Sequence, residues 1–134
     1  MQVGQFLIRF MKIIGLIEEH SNRNKFSQPY KEFRKGIFNS SKLQILDYLN
    51  QGVLFATTMQ VVSSLEANDK TIIGGIAYYT DGKWIWPNYL VYYLTKYDVE
   101  IPKYFVDSTK EIGNINNKID VEKAISFLKN NNII

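Results

Sequence analysis

The chain of 134 residues contains no cysteine, and that absence excludes several kinds of site. It leaves no disulfide, no zinc site built on thiolates, no iron–sulfur ligation and no cysteine nucleophile. The absence also fits a reducing compartment, and we expect the protein to be cytoplasmic.

Histidine is almost as scarce, because His20 is the only one. A catalytic or metal-ligating histidine needs partners, and no obvious one lies nearby in the sequence, so we expect a polar surface residue at a helix end. The carboxylates are scattered, and there is no G-x-S-x-G elbow. Asp81 is explained as a turn residue and Asp120 as a helix cap. We predict no catalytic residue, no metal and no cofactor, and we expect the protein not to be an enzyme.

Two adjacent glycines, Gly74 and Gly75, lack the spacing of either phosphate-binding loop motif. Glycines inside a strand more often mark a bulge or a close backbone approach. We expect a tryptophan of the neighbouring strand to lie over them.

The N-terminal segment is too short and too charged to cross a membrane, because Arg9 and Lys12 interrupt its apolar run. No small-residue cleavage site follows, which argues against a signal peptide. Apolar residues recur at steps of three and four over residues 3–18, and this spacing predicts an amphipathic helix. We expect no association with a membrane.

The net charge of +3 is concentrated in one segment. Residues 21–35 hold five basic residues against Glu32 alone, interleaved with three aromatics. This pattern is typical of nucleic-acid contacts, but strong binders carry a larger positive surface. A solvated surface or an acidic protein partner is favoured, and Arg23, Lys25 and Arg34 are candidate partner contacts.

The chain changes from helical to strand-like character at Gly52. A short helix is predicted over residues 29–36, and a second helix is capped by a serine at 40 or 41 and ends at Gly52. Beyond it, β-branched residues predict strands at 53–58, 60–65, 71–79 and 83–86. A turn is predicted at 67–70, and Asp81-Gly82 supplies a hairpin turn.

The run TDGKWIWPNYLVYYLTKY, residues 80–97, predicts a strand, a tight turn, a strand and an amphipathic helix. Trp84 and Trp86 share one face because side chains alternate along a strand, and at least one of them belongs to the core. Asn88 is expected to cap the helix. Three residues lie off its apolar stripe and are predicted to be exposed partner contacts, namely Tyr89, Tyr92 and Lys96.

Two further helices follow, the first opened by Pro102 and the second capped by Asp120. The predicted fold is α+β in a single domain over residues 1–134. A small antiparallel sheet of three or four strands, at about residues 53–86, is flanked by N-terminal and C-terminal helices.

Three segments, YLNQGVLFATT, GGIAYYTDGKWIWP and LVYYLTKYDVEIPKYF, resemble small bacterial immunity proteins of polymorphic toxin and contact-dependent growth inhibition systems. The resemblance runs over residues 48–106, a little under half the chain. It implies a cytoplasmic protein that binds a cognate toxin and neutralises it by blocking its active site or its substrate access. The resemblance does not identify the residues that contact the toxin.

Two alternatives stay open at the level of the sequence. One is a small nucleic-acid-associated binding protein that uses the basic patch at residues 23–35, which would show steeply salt-dependent affinity. The other is an enzyme without a recognised motif, which would show a deep pocket gathering His20 with carboxylates of strongly shifted pKa.

Overall fold

The computed structural model describes residues 11–116 and 118–134. Its helices and strands, in chain order, are β1 Lys12–Ile13, α1 Glu18–Ser21, α2 Lys42–Asn50, β2 Val53–Ser63, β3 Ile72–Thr80, β4 Trp84–Pro87, α3 Asn88–Tyr97, α4 Lys103–Ile112 and α5 Val121–Asn130. The predicted α+β class with a small sheet is confirmed. Within the described ranges, no helix is both long and apolar enough to cross a membrane.

The four strands form one sheet in the order β1-β4-β3-β2. The β2–β3 and β3–β4 pairs are antiparallel, as the turn signals predict. The β1–β4 pair is parallel, so the sheet is mixed rather than purely antiparallel. The extra strand comes from the N-terminal part of the chain, where no strand is predicted.

The helix predicted over residues 3–18 is wrong for residues 11–17. Lys12 N–H donates to Lys83 O and Ile14 N–H donates to Ile85 O, both at 3.0 Å, so this backbone pairs with β4. Gly15 has a φ of +75°, and α1 begins only at Glu18. Residues 3–10 lie outside the described residues. The apolar side chains of residues 11–17 are buried or half-buried in an extended conformation instead of on a helix. The extended backbone is stable because pairing with the edge of β4 satisfies its hydrogen bonds.

The two strands predicted at 53–58 and 60–65 form the single strand β2. Thr57 pairs with Ala77 of β3, and the next pair is Val61 with Gly75. Residues 58–60 of β2 therefore lie opposite a single residue of β3 and form a bulge. The helix predicted over 29–36 is reduced to a 3-10 turn at Tyr30–Glu32. Asp120 caps α5 as predicted, accepting from Glu122 N–H at 3.1 Å.

Both tryptophans belong to the core, at 2% exposed for Trp84 and 0% for Trp86. Their side of the sheet packs on Phe105 of α4, with ring centroids 5.3 and 5.9 Å away. Tyr48 of α2 packs on Trp86 at 6.2 Å. The other side of the sheet carries buried Tyr78, and α3 and α5 pack against β3 and β2 respectively.

The tryptophan expected over Gly74 and Gly75 lies over Gly52 instead. A Cβ built on Gly52 would stand 2.5 Å from Cζ2 of Trp86, whereas a Cβ on Gly74 would meet nothing within 4 Å. The alternative of a bulge is correct, because Gly74 has a φ of +122° at a register shift in the β2–β3 pair.

Asn88 does not cap α3, because Pro87 occupies the cap position. Its side chain instead accepts from Ala77 N–H at 3.0 Å and donates to Gly75 O at 2.9 Å. These two bonds continue the ladder of β3 past the last residue of β4. Asn88 therefore fixes the start of α3 to the sheet.

Candidate partner-binding site

The prediction that Tyr89 is exposed is wrong, since its side chain is 0% exposed. Its hydroxyl accepts from Ile17 N–H at 3.0 Å and lies 2.6 Å from Ser21 Oγ. The chain at Ile17 and Ser21 packs on the side of α3 that carries Tyr89. Helix α3 is therefore buried on a wider surface than its apolar stripe predicts. Tyr89 is a core residue with a satisfied hydroxyl.

His20 is likewise buried, at 3% exposed, rather than a surface residue. Its Nε2 lies 2.9 Å from the Tyr93 hydroxyl, which accepts from Leu65 N–H at 3.0 Å. Burial lowers the pKa of His20 to about 4, and the nearby charge of Glu19 offsets this only in part. The imidazole is therefore neutral at pH 7 and links α1, α3 and the β2–β3 connection.

The surface next to this network is built from tyrosines, carboxylates and lysines, and we call it the tyrosine–carboxylate surface. It lies where the β2–β3 connection meets α3 and the chain after the 3-10 turn. Its members are Lys35, Glu66, Asp69, Tyr92, Lys96 and Tyr97, together with the buried Tyr30 that bonds to Glu66.

Asp69 is the centre of one half of this surface. Its Oδ2 accepts from the hydroxyls of Tyr92 and Tyr97 and from Lys96 Nζ, the last at 3.2 Å. Its Oδ1 accepts from the hydroxyl and N–H of Thr71, at 2.6 and 3.1 Å. These bonds, led by the Thr71 hydroxyl, hold the pKa of Asp69 well below its usual range.

Glu66 is the centre of the other half. Its Oε2 accepts from Lys35 Nζ and from the Tyr30 hydroxyl, both at 2.5 Å. The bonds from Lys35 and then Tyr30 lower the pKa of Glu66. Burial, followed by the bond to Glu66, raises the pKa of Tyr30.

Backbone pairing brings two groups of predicted contact residues together. Gly36 N–H donates to Tyr97 O at 3.0 Å, and Glu100 N–H donates to Arg34 O at 2.8 Å. The chain around Arg34 therefore runs beside the C-terminal end of α3. Arg34 and Lys96, predicted from separate patterns, belong to one region of the surface.

The remaining predicted contacts, Arg23 and Lys25, interact elsewhere. Arg23 Nε lies 3.5 Å from Glu18 Oε1. Lys25 Nζ lies 5.2 Å from the ring centroid of Phe26, and that ring packs on Phe127 of α5 at 5.3 Å. All three Arg23, Lys25 and Arg34 side chains are exposed.

The basic segment at residues 21–35 is largely offset by carboxylates from other parts of the chain. Arg23 pairs with Glu18, Arg34 with Glu100 at 3.1 Å, and Lys35 with Glu66. Counting charge along the sequence misses these partners, because two of the three are distant in sequence. The pairing reduces the positive field that a nucleic-acid backbone would meet.

The tyrosine–carboxylate surface holds fixed hydrogen-bond donors and charges at neutral pH. The bond to Asp69 raises the pKa of Tyr97 to about 12, so its hydroxyl stays protonated while Asp69 stays ionised. Lys96 Nζ lies 5.6 Å from the ring centroid of Tyr92 and 5.8 Å from that of Tyr97. Such an arrangement is suited to binding, because its groups are already oriented.

Among the described residues, His20 lies apart from the groove that the enzyme alternative would need it to line. A groove of about 560 Å³ is lined by apolar residues around Gly15 and Leu90 and by the Arg34–Glu100 pair, and His20 is not among its lining residues. In residues 11–116 and 118–134, no three metal-ligating side chains form a group.

Comparison with known proteins adds no relative to this description. No family model matches the chain, and neither the curated proteins nor the solved structures include a match.

The two carboxylates of this site escape prediction from the sequence. Residues 67–70 are correctly predicted as a turn, but nothing in the local pattern pairs Asp69 with Tyr92 and Tyr97. The two tyrosines are five residues apart on α3, a spacing that carries no established signal. Only the fold of the β2–β3 connection onto α3 creates the site.

Proposed function

We propose that this protein is an immunity protein that binds a cognate bacterial toxin in the cytoplasm and neutralises it by blocking its active site or its substrate access. The observation that supports a binding role is the tyrosine–carboxylate surface. The nature of the partner rests on the sequence resemblance of residues 48–106. Tyrosine is enriched among the residues that dominate binding energy at protein interfaces.

The proposed contact surface is ordered before the partner arrives. Tyr92 and Tyr97 are half-buried, and each donates its hydroxyl to Asp69. Fixing a flexible side chain at an interface otherwise costs about 0.5–1.5 kcal/mol of conformational entropy. A surface that has already met this cost binds more tightly for the same contacts.

The cations at and beside this surface are more exposed than the carboxylates that they pair with, and this difference favours an acidic partner site. Arg34 and Lys96 keep 69% and 47% of their side-chain area exposed, although each is paired with a carboxylate. Exposed cations around aromatic anchors steer a partner of opposite charge and set its register. We propose that the toxin presents an acidic cleft to this surface.

The proposal is tested by calorimetry with the toxin domain encoded by the gene immediately upstream. We expect one-to-one binding with a Kd at or below about the nanomolar range and loss of that domain's toxicity. The variants Lys96→Glu and Arg34→Glu should each weaken binding by about tenfold or more, because a reversed charge opposes the acidic cleft. Lys123→Glu on α5 is the matched control and should leave the affinity unchanged.

Absence of binding by a properly folded upstream domain would overturn the proposal. If the toxin binds tightly and Lys96→Glu, Arg34→Glu and Lys123→Glu all leave the affinity unchanged, the proposed function stands. The tyrosine–carboxylate surface would then not be the contact surface. Steeply salt-dependent affinity for DNA or RNA would support the nucleic-acid alternative instead.

A further inference from the structure

The β2–β3 hairpin has one uncovered face, which we call the open hairpin face. Cross-strand pairing places Leu54 opposite Tyr79, Thr57 opposite Ala77 and Val61 opposite Gly75. Paired residues of an antiparallel ladder project on the same side, and alternate residues of β3 share that side. The exposed part of the open hairpin face is therefore formed by Leu54, Thr57, Val61, Gly75 and the half-buried Ala77, and the half-buried Tyr79 borders it.

This face exposes apolar side chains to solvent. Val61 is 64% exposed and Leu54 is 52% exposed, and Thr57 and Gly75 are exposed with them. The opposite face of the same hairpin carries buried Val62, Ile76 and Tyr78. Helix α3 contacts β3 on that buried side, where Ser21 Oγ joins the hydroxyls of Tyr78 and Tyr89, whereas Leu54, Thr57 and Val61 stay exposed on the other side.

The hairpin also carries no charged side chain in either strand. Residues 48–65 and 71–80 contain no Asp, Glu, Lys or Arg. Solvent-facing strands usually carry such residues, which keep them soluble and block unwanted association. Depletion of charge at an apolar centre is typical of protein interfaces, and most of all of homodimers.

We propose that two copies of this chain pack their open hairpin faces against each other across a two-fold axis. In a two-fold interface each surface meets a copy of itself, so any charge near the axis would face a like charge. A face built from two strands without charged side chains is free of that repulsion. Self-association needs no other molecule, so the proposed dimer covers the apolar face more completely as the concentration of the protein rises.

Packing of faces fits the hairpin better than pairing of strand edges. Residues 58–60 bulge out of the β2 ladder, and Met59 at the bulge is 99% exposed. Bulges at an edge strand interrupt the regular pattern that another strand would need. The face itself needs no free strand edge, because its exposed side chains on β2 project beside Gly75 and Ala77 of β3, as packing of one sheet on another requires.

The proposed dimer leaves the tyrosine–carboxylate surface accessible. Tyr92 and Lys96 lie on α3, and α3 is tied to the buried side of the hairpin, where Ser21 Oγ joins the hydroxyls of Tyr78 and Tyr89. Dimerisation and toxin binding therefore use different faces. The inference stands independently of the proposed function.

The test is the molar mass of the wild-type protein in solution, measured by sedimentation or light scattering across a concentration series. We expect a dimer. Thr57→Lys and Thr57→Glu should each give a folded monomer, because Thr57 is central on the face and a two-fold axis sets its charge against itself. Mixing the two variants should restore the dimer, since opposite charges then meet. Leu43→Lys, at an apolar side chain 80% exposed on α2, is the matched control and should stay dimeric.

Circular dichroism establishes whether each variant is folded. If a Thr57 variant does not fold, Val61→Glu is measured in its place. A wild-type monomer at about 100 µM, where a dimer with a Kd below about 10 µM is mostly associated, would overturn the inference. A dimer unaffected by the Thr57 and Val61 variants would overturn it as well. A monomer whose Thr57 variants lose toxin binding would assign the open hairpin face to the toxin instead.

Discussion

At the scale of single residues, the positions that matter most are set by contacts between distant parts of the chain. Gly52 follows the C-cap residue of α2, Gln51, and lies under the indole of Trp86, thirty-four positions later. His20 forms a hydrogen bond with the Tyr93 hydroxyl. Asp81 accepts from the backbone N–H groups of its own turn and also from the Tyr48 hydroxyl, the latter at 2.6 Å. Asp81 keeps the turn role inferred from the sequence and gains a second one, whereas His20 is buried rather than on the surface and Gly52 does not adopt the left-handed conformation of a helix cap.

Gly52→Ala should destabilise the protein, because the added methyl would overlap Trp86 at 2.5 Å and Tyr79 Cβ at 3.0 Å. Overpacking of this kind costs about 1–3 kcal/mol. Gly75→Ala is the control, since its Cβ would meet only backbone oxygens at 3.8 and 3.9 Å. Urea denaturation measures both, and equal stability of the two variants would contradict the packing of Trp86 on Gly52.

His20 should make the protein less stable in mild acid. Burial lowers its pKa to about 4, below its ordinary value of 6.5, so the unfolded state binds the proton more readily. The stabilisation is complete above the unfolded pKa and is lost as the pH falls from about 6.5 to about 4, by about 3 kcal/mol in all.

The free energy of unfolding, measured by urea titration at several pH values, tests this expectation. His20→Gln keeps a polar group near Tyr93 but cannot titrate, so its stability should vary much less over the same interval. A wild-type curve parallel to that of His20→Gln would show that another group controls the pH dependence.

At the scale of elements, the connection between β2 and β3 is ordered by side chains rather than by regular structure. Glu66 and Asp69 are tied to Tyr30, Tyr92 and Tyr97, and Tyr93 accepts from Leu65 N–H. The same ties fix the C-terminal half of α3. These bonds anchor the connection to buried Tyr30 and Tyr93.

The double variant Tyr92→Phe/Tyr97→Phe should release this loop, because it removes two donors to the Asp69 carboxylate while keeping both rings. Hydrogen exchange of the amides in residues 65–71 should accelerate by about tenfold or more, since bonds to charged groups contribute more than neutral ones. Tyr104→Phe, at a tyrosine 64% exposed, is the control. Unchanged exchange in the double variant would mean that the backbone alone orders the loop.

At the scale of the whole molecule, one core joins all the elements. Buried residues from β1 to the chain end, including Ile14, Tyr48, Trp86, Phe105 and Leu128, belong to a single cluster. The single domain predicted over residues 1–134 stays a prediction, and cooperative unfolding is its natural test. Small single domains usually unfold in one step.

Unfolding followed by tryptophan fluorescence and by far-ultraviolet circular dichroism should therefore give coincident transitions. Fluorescence reports the buried Trp84 and Trp86, and dichroism reports helices throughout the chain. In a dimer, the midpoint should also rise with protein concentration. Separated transitions would show that parts of the chain unfold independently.

The sequence by itself determined the elements whose signals are local. The Asp81-Gly82 turn, the cap of α5 at Asp120 and the amphipathic spacing of α3 each depend on neighbouring residues. The α+β class follows from the order of these elements. Propensity and turn chemistry act over a few residues, and so they can be read along the chain.

The tertiary structure alone decided the rest. Backbone pairing with β4 turned residues 12–13 from a predicted helix into a strand, because an open sheet edge offers hydrogen bonds that outweigh helical spacing. Burial moved Tyr89 and His20 from the predicted surface into the core. The tyrosine–carboxylate surface and the open hairpin face depend on which segments of the chain meet. Contacts between residues that are distant along the chain leave no periodic pattern in the amino-acid sequence.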